Sequence, residues 1–220
     1  MVARVKICCI ASREEARTAI RLGASALGLV SEMPSGPGVI PEDAIREIAE
    51  TIPPGVSSFL LTSRQEVASI VEQQRRTSVN TIQLVDELPR GAHEELRAAL
   101  PGIRIVQVIH VQDEEAVEQA VSVGPYCDAL LLDSGNPNLA VKELGGTGRT
   151  HDWSLSRRIR EAVPIPVFLA GGLTPANVRQ AIGRVSPFGV DVCSGVRTEG
   201  RLDPDKVEQF VRHAQGAAAI

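Results

Sequence analysis

Two glycine turns at the ends of apolar runs are the residues of this sequence best suited to hold a phosphate. The run at 165–169 ends in Ala-Gly-Gly at 170–172, and the run at 188–192 ends in Cys-Ser-Gly at 193–195. Glycines directly after strands leave backbone N–H groups uncovered, and such groups bind phosphate alone or beside a helix N-terminus. We therefore predict a phosphate site here, with two ordinary tight turns as the alternative. The predicted ligands in these turns are Gly171, Gly172, Ser194 and Gly195.

A cysteine and an aspartate follow two other apolar runs and could transfer protons. Cys8 and Cys9 are the two alternative candidates near the end of the run at 2–10, and Asp133 follows the run at 128–132. A thiolate can act as a base if its pKa is lowered, and a carboxyl in an apolar mouth can act as a general acid because its pKa is raised. The alternatives are a small buried side chain for the cysteine and a cap for the aspartate. We expect Cys8 and Cys9 to face opposite sides of the strand, since side chains alternate along it.

Polar residues inside other apolar runs are further candidates. Lys6 could lower the pKa of the neighbouring thiol. Asp191 must be paired or hydrogen-bonded if it faces the protein interior, so a structural role is its alternative. His110 could be a ligand or an acid, and simple solvation is its alternative.

These side chains must be positioned by secondary structure, and the sequence alternates apolar runs with helical patterns eight times. The predicted strands span 2–10, 26–30, 56–61, 79–85, 103–111, 128–132, 165–169 and 188–192. The predicted helices span 12–22, 41–50, 65–74, 93–100, 113–120, 153–161, 176–182 and 203–214. Ser12 with Glu15 three residues later has the pattern of a capping box, and Thr174 followed by Pro175 suits a helix start.

Eight strand–helix units predict an α/β fold, an eight-stranded parallel (β/α)8 TIM barrel. The apolar runs are mostly continuous, as expected for parallel strands covered on both faces. Residues 1–220 are expected to form a single domain, since no linker divides them. An open doubly wound sheet is the alternative, but it gives no reason for eight similar units, and no GxGxxG follows the first strand. The longest predicted loop, 134–152, contains Gly-Gly-Thr-Gly at 145–148, which suits a lid hinge or a turn.

Composition excludes several classes of function. The chain has 220 residues and a net charge of −4 without long charged runs, which argues against a nucleic-acid surface. Aromatic residues make up only 3%, and no stretch is long and apolar enough to cross a membrane. The four cysteines lack the spacing of a zinc site or a secreted disulfide framework, so we expect no metal site and a cytoplasmic location. A monomer or a homodimer is expected.

Short segments spread over nearly the whole chain match motifs of one enzyme family. Val5-Lys6-Ile7-Cys8 resembles VKICGIT, 22–28 resembles LGADALGFVF, and 41–44 is similar to SPEDA. The segments 130–134, 145–148 and 151–154 resemble LLLDS…GGTGKTFDWS, 170–175 resembles AGGLTPENV, and 190–196 resembles VDVSSGVE. The chain therefore resembles the phosphoribosylanthranilate isomerase family of tryptophan biosynthesis.

The resemblance implies an Amadori rearrangement without a cofactor, in which an aminoaldose phosphate becomes an aminoketose phosphate. Cys8 would be the general base that removes the proton from sugar C2, and Asp133 the general acid that protonates the ring oxygen. The implied phosphate ligands are backbone amides near Gly146, Gly171, Gly172, Ser194 and Gly195. The implied partner is a small phosphorylated sugar. The low-priority candidates for further substrate contacts are Lys6, Gln83 and Asp191.

The chain departs from the family where the anthranilate would bind. The family's second loop carries an arginine that grips the anthranilate carboxylate, whereas residues 31–40 contain no arginine or lysine and begin with Ser31-Glu32. The histidine of the family's QLHG is Val85 here, its strand-five lysine corresponds to Gln107, and the glycine after its cysteine is Cys9. Losing a charge-assisted contact costs about 1.5–3 kcal/mol.

Three hypotheses follow from this mixture of matches and departures. The first is an isomerase of phosphoribosylanthranilate with a different aromatic grip, for instance through Arg64 or Arg149. The second is the same chemistry on another phosphorylated sugar derivative. The third is a phosphosugar-binding protein without turnover. The whole-chain resemblance favours the first.

Overall fold

The computed structural model describes residues 2–136, 139, 142, 144, 148 and 150–216. Eight strands close into a barrel in chain order, because the first strand pairs with the eighth as well as with the second. All of these pairings are parallel, and each strand is connected to the next by a helix on the outside. The predicted eight-stranded (β/α)8 TIM barrel is therefore confirmed.

The elements lie close to their predicted positions. The strands are β1 Arg4–Ile7, β2 Ala26–Val30, β3 Ser57–Thr62, β4 Thr81–Leu84, β5 Arg104–His110, β6 Ala129–Asp133, β7 Val167–Leu169 and β8 Gly189–Val192. The helices are α1 Arg13–Arg21, α2 Glu42–Ala49, α3 Val67–Thr77, α4 Ala92–Ala99, α5 Glu115–Val123, α6 Trp153–Ala162, α7 Val178–Val185 and α8 Pro204–Ala214. A short antiparallel hairpin that the sequence pattern did not reveal, β9 Arg197–Thr198 with β10 Arg201–Leu202, precedes α8.

Two local predictions at the end of the barrel were wrong. Helix α7 begins at Val178 rather than at 176, because Thr174 starts a turn: its N–H donates to Asn177 Oδ1 at 2.8 Å, and its carbonyl accepts from Val178. Strand β7 begins two residues later than predicted, after Pro166, which has no N–H to donate to a sheet.

The two cysteines at the end of β1 do not face opposite sides as expected. Strand β1 ends at Ile7, and Cys9 has a φ of 61°, in the left-handed region that non-glycine residues seldom adopt. This turn breaks the alternation of side chains, so that Cys8 and Cys9 both pack in the interior cluster of the barrel.

The apolar side chains form two layers. One fills the space between the sheet and the helices, where Leu130 and Leu132 of β6 point. The other fills the barrel interior, where Leu131 of the same strand packs with Phe59 and Phe168. Both faces of each strand are therefore buried, which explains the continuous apolar runs in the sequence. Toward the carboxyl ends of the strands the barrel also buries the polar side chains of Lys6, Gln83 and Asp191.

An ion pair ties the start of α1 to the segment after β8. Ser12 Oγ accepts the N–H of Glu15 as predicted, but the Glu15 carboxylate reaches the N–H of Ala11 rather than that of Ser12. The same carboxylate binds both terminal nitrogens of Arg197 at 3.0 Å, and Arg197 also donates to the carbonyl of Cys9. The loops that follow β1 and β8 are thereby held together.

We predict that Glu15→Gln lowers the free energy of unfolding by about 1.5–3 kcal/mol, the range for hydrogen bonds to a charged group. Burial alone would raise the pKa of Glu15, but the bonds from Arg197 and from the Ala11 N–H lower it. The stabilisation is therefore present above the pKa of an unfolded glutamate and is lost as the pH falls through the lower pKa of the folded state. Urea titrations at several pH values measure it.

Glu208→Gln, at an exposed position of α8, is the matched control and should change the unfolding free energy little. Equal stability of the two variants at neutral pH would show that the Glu15–Arg197 pair contributes nothing.

Candidate active site

A pocket lies at the carboxyl ends of the strands, where the reactive groups of such barrels are found. Residues from β1, β2, β3, β4, β6, β7 and β8, or from the loops after them, line it. The predicted site residues in its wall are Cys8, Gln83, Asp133, Gly171, Gly172, Asp191 and Ser194. Gly195 follows Ser194 in the chain, and Lys6 lies behind the wall beside Asp191. Gly146 lies outside the described residues.

A buried ion pair lies directly behind the wall of this pocket. Lys6 of β1 and Asp191 of β8 are neighbours in the barrel register, and Lys6 Nζ lies 2.9 Å from Asp191 Oδ2. The lysine side chain has no exposed surface. Burial alone would lower the pKa of Lys6, but the negative charges of Asp191 and of a Cys8 thiolate outweigh burial and raise it. Lys6 is thus a permanent cation at neutral pH.

The thiol of Cys8 lies beside this cation because β2 offers room for both. A Cβ atom added to Gly28 would lie 2.7 Å from Cys8 Sγ and 3.0 Å from Lys6 Nζ. Only a glycine at this interior position allows the sulfur and the ammonium to be neighbours.

Asp133, at the end of β6, lies in an environment that raises the pKa of its carboxyl. Its side chain is buried in the pocket wall, and Oδ1 accepts the N–H of Ser134 at 2.8 Å. Burial raises the pKa of Asp133, and the negative charge of Asp191 raises it further, whereas the Ser134 bond and the charges of His110 and Lys6 oppose the shift. The net direction is upward, so the pocket favours a protonated carboxyl that can donate a proton.

Two buried oxygen atoms in the pocket wall are unused acceptors. Gln83 Oε1 and Asp191 Oδ1 have no hydrogen-bond partner within the part of the chain that the structure describes. A buried acceptor without a partner costs free energy, and such an atom in a pocket wall suits a ligand hydroxyl. His110 is not simply solvated: it lies beside Asp133 in the register of β5 and β6, and its Nε2 lies 3.0 Å from the carbonyl of Val85.

The two glycine turns touch one another through their backbones. A Cβ on Gly195 would lie only 1.9 Å from the carbonyl oxygen of Leu173, so this contact requires glycine. Gly171 and Gly172 both have positive φ values, and a Cβ on Gly171 would meet His151 Nδ1 at 3.0 Å. Burial lowers the pKa of His151 to about 4, so the ring next to the turn is neutral at neutral pH.

The opposite end of the pocket is apolar. Val30, Met33, Pro37, Leu61 and Leu144 form it, and no lysine or arginine is among the described residues that line the pocket.

Arg64, one of the two proposed substitutes for the family's arginine, does not line the pocket. Arg64 is held by Glu42 at 3.0 Å and by Ser69 at 2.8 Å, away from the pocket, and Arg149 lies outside the described residues. Gln107, which corresponds to the family's strand-five lysine, is hydrogen-bonded to His93 on the outer side of the barrel.

Sequence reasoning named Cys9 only as an alternative to Cys8 and missed Cys193. Both residues line the pocket. The signal was present in the sequence, because each cysteine lies within two residues of a strand end.

Within the described ranges, no group of histidine, cysteine, aspartate or glutamate side chains is arranged to hold a metal ion, and no helix could span a membrane.

The closed barrel, the polar pocket at the carboxyl ends of its strands and the paired glycine turns define a (β/α)8-barrel enzyme class. The family model of N-(5'phosphoribosyl)anthranilate isomerase matches residues 5–213. The chain therefore belongs to the phosphoribosylanthranilate isomerase family and is an isomerase of tryptophan biosynthesis by that membership.

Individual relatives match this chain over nearly their full length. The N-(5'-phosphoribosyl)anthranilate isomerase of Methanocella arvoryzae is 35% identical over 96% of this chain and 98% of its own. The solved isomerase of Thermotoga maritima has a TM-score of 0.84 at 32% identity and covers 97% of this chain and 99% of its own. A solved isomerase in complex with reduced 1-(o-carboxyphenylamino)-1-deoxyribulose 5-phosphate has a TM-score of 0.81 at 31% identity, with 97% and 99% coverage.

We predict that Gly28→Ala lowers kcat for isomerisation of phosphoribosylanthranilate about a hundredfold, the effect of a small misplacement of a reacting group. The added methyl group would displace Cys8 Sγ or Lys6 Nζ. Gly183→Ala in α7 is the control, because an added Cβ there has no neighbour within 4 Å. A folded Gly28→Ala variant with the turnover of the wild type would contradict the assigned geometry.

Proposed function

We propose that this chain catalyses the Amadori rearrangement of N-(5'-phosphoribosyl)anthranilate, with Cys8 as general base and Asp133 as general acid. One observation carries the proposal: the two groups line one pocket, with a cation beside the thiol and a carboxyl whose pKa is raised. Lys6 lies beside the thiol, whereas burial and Asp191 raise the pKa of the Asp133 carboxyl. Proton transfer to and from one substrate requires an acid and a base in one site.

The first step is ring opening. Asp133 gives its proton to the ring oxygen of the sugar as the bond from that oxygen to C1 breaks. The nitrogen lone pair forms the C1–N double bond, which leaves a protonated imine. The buried carboxyl supports this step because its raised pKa favours the protonated form.

The second step moves hydrogen from C2. The Cys8 thiolate takes the C2 proton, and the electrons of the C–H bond neutralise the imine to give an enolamine. Tautomerisation of the enolamine gives the aminoketose. Lys6 lies beside the sulfur that takes the proton, and Asp191 is paired with Lys6. These proton transfers need no cofactor.

The phosphate of the substrate is assigned to the two glycine turns. The positive φ values of Gly171 and Gly172 and the close contact of Gly195 with Leu173 form a compact backbone surface. Gly148 joins it from the long loop, since a Cβ there would lie 3.7 Å from Ser194 Oγ. The ribose hydroxyls are assigned to the unused acceptors of Gln83 and Asp191.

The anthranilate ring is assigned to the apolar end of the pocket, between the loop at 31–40 and Leu144. The loops after β2 and β6 meet there, because Ser35 donates to the backbone carbonyl of Lys142. Lys142 itself is paired with Asp86. The ring would bind through apolar contact with Met33 and Pro37, in place of the arginine contact of the family.

A second candidate is the same chemistry on a phosphoribosyl amine whose aglycone lacks the carboxylate. The absence of a cationic side chain from the described pocket wall favours it. Turnover of such an amine together with no turnover of phosphoribosylanthranilate would select this candidate over the first.

We predict that Cys8→Ala and Asp133→Asn each lower kcat about a hundredfold or more, as expected for lost acid–base groups. In the wild type, kcat should fall as the pH rises through the raised pKa of Asp133, because the acid then loses its proton. The loss of anthranilate-substrate fluorescence during steady-state turnover measures these rates. Near-normal rates in both variants would exclude the mechanism.

Stability separates loss of chemistry from loss of fold in this test. The raised pKa of Asp133 means that its contribution to stability is full below the pKa of an unfolded aspartate and is lost as the pH rises. The isosteric Asp133→Asn variant removes that loss and keeps an acceptor for Ser134. It should therefore unfold at no lower urea concentration than the wild type at neutral pH.

We predict that Gly195→Ala raises both KM and the inhibition constant of inorganic phosphate about tenfold or more, the equivalent of one hydrogen bond to a charged group. The added Cβ would push the turn away from Leu173. Gly183→Ala is the control, since Gly183, like Gly195, has no positive φ, and a Cβ added there has no neighbour within 4 Å. Unchanged phosphate inhibition in Gly195→Ala would place the phosphate elsewhere.

A further inference from the structure

Two cysteines of the pocket have no part in the proposed acid–base chemistry. Ile7 pairs with Val192 in the barrel register, and the N–H of Cys8 donates to the carbonyl of Val192 at 2.8 Å. The segments that follow β1 and β8 therefore run side by side and bring Cys9 close to Cys193. In the motifs that these segments resemble, the same positions hold glycine and serine.

The Cys9 thiol is fixed in place by its surroundings. Its φ of 61° is unusual for a non-glycine residue and turns the side chain into the pocket. Gly38 presses on it from the loop after β2, since a Cβ there would lie 2.5 Å from Cys9 Cβ. Arg197 holds the Cys9 carbonyl from the opposite side. The sulfur therefore has little freedom to turn away from Cys193.

The pKa values of the two thiols differ, and the difference has the direction that favours disulfide formation. The hydrogen bond from Cys9, with help from the charge of Arg197, lowers the pKa of Cys193 against the effect of burial. The same hydrogen bond, a second one to Cys8 and burial raise the pKa of Cys9. Cys193 is half-buried at the pocket surface, whereas Cys9 is buried behind it. The accessible sulfur is thus the more nucleophilic one.

We propose that Cys193 and Cys9 form a reversible disulfide when the protein meets a hydroperoxide. The Cys193 thiolate attacks the peroxide, the O–O bond breaks, and a sulfenic acid forms while hydroxide or alkoxide leaves. The Cys9 sulfur then attacks the Cys193 sulfur, the S–O bond breaks, and the hydroxide leaves with the Cys9 proton as water. The two thiols are oxidised and the peroxide is reduced. A dithiol reverses the bond by exchange.

The disulfide would also stop catalysis, a consequence that rests on the proposed function. Ser194 and Gly195 follow Cys193 directly, so a change in Cys193 alters the turn assigned to phosphate. Cys8 precedes Cys9 and would lose its hydrogen-bonded neighbour. Oxidation at this one pair would therefore act on both halves of the pocket.

Mass spectrometry after treatment of the full chain with hydrogen peroxide and alkylation of free thiols tests the disulfide without reference to activity. Trypsin gives peptide 7–13 with Cys8 and Cys9, and peptide 185–197 with Cys193. We expect these peptides to be linked, and dithiothreitol to separate them. Cys9→Gly and Cys193→Ser introduce the residues of the matching motifs. The glycine relieves the backbone strain at position 9, and the serine keeps the backbone at position 193. Each variant should abolish the link. Cys8→Ser and Cys127→Ser should keep it.

A link that survives Cys9→Gly, or that disappears in Cys8→Ser, would overturn the assignment to Cys9. Oxidation of Cys193 to a sulfinic acid with no linked peptide would overturn the disulfide itself. The rate of peroxide inactivation should fall at least about tenfold in Cys193→Ser if that thiolate is the reacting group. Linked peptides with no loss of turnover would leave the disulfide standing and contradict only its effect on catalysis.

Discussion

The buried contact between Lys6 and Asp191 is the interaction on which the rest of the site depends. A fully buried ammonium is tolerated only with a partner in hydrogen-bond contact, and the register of β1 and β8 supplies one at 2.9 Å. The pair then acts in two directions. Its positive end lies beside Cys8, and the negative charge of Asp191 raises the pKa of Asp133. One ion pair thus lies next to the proposed base and acts on the pKa of the proposed acid.

The space around this pair explains why small residues and strained turns surround it. Gly28 leaves room for the sulfur and the ammonium, and Gly195 allows two loops to meet backbone to backbone. Cys9 adopts a backbone conformation that glycine would adopt more easily. Such strain persists where the surrounding structure enforces it, and here Arg197 and its partner Glu15 fix the loop from outside.

Much of this arrangement could be predicted from the sequence, because it depends on periodicity and on residues next to strand ends. The eight apolar runs predicted the barrel, and the placement of Cys8, Asp133 and the glycine turns at strand ends put them in one pocket. What could not be predicted depends on tertiary contacts. The inward turn of Cys9 needs the loops after β2 and β8, and the position of Arg64 follows from its bonds to Glu42 and Ser69.

The central claim is that burial in the pocket raises the pKa of Asp133, so that its carboxyl can serve as the acid. Infrared difference spectroscopy of the wild type against Asp133→Asn at neutral pH measures this directly. The account predicts a carbonyl band of a protonated carboxylic acid that is present in the wild type, absent from the variant, and lost at higher pH. A carboxylate band at neutral pH, with no protonated carboxyl lost in the variant, would contradict the account, because Asp133 could then not serve as the acid.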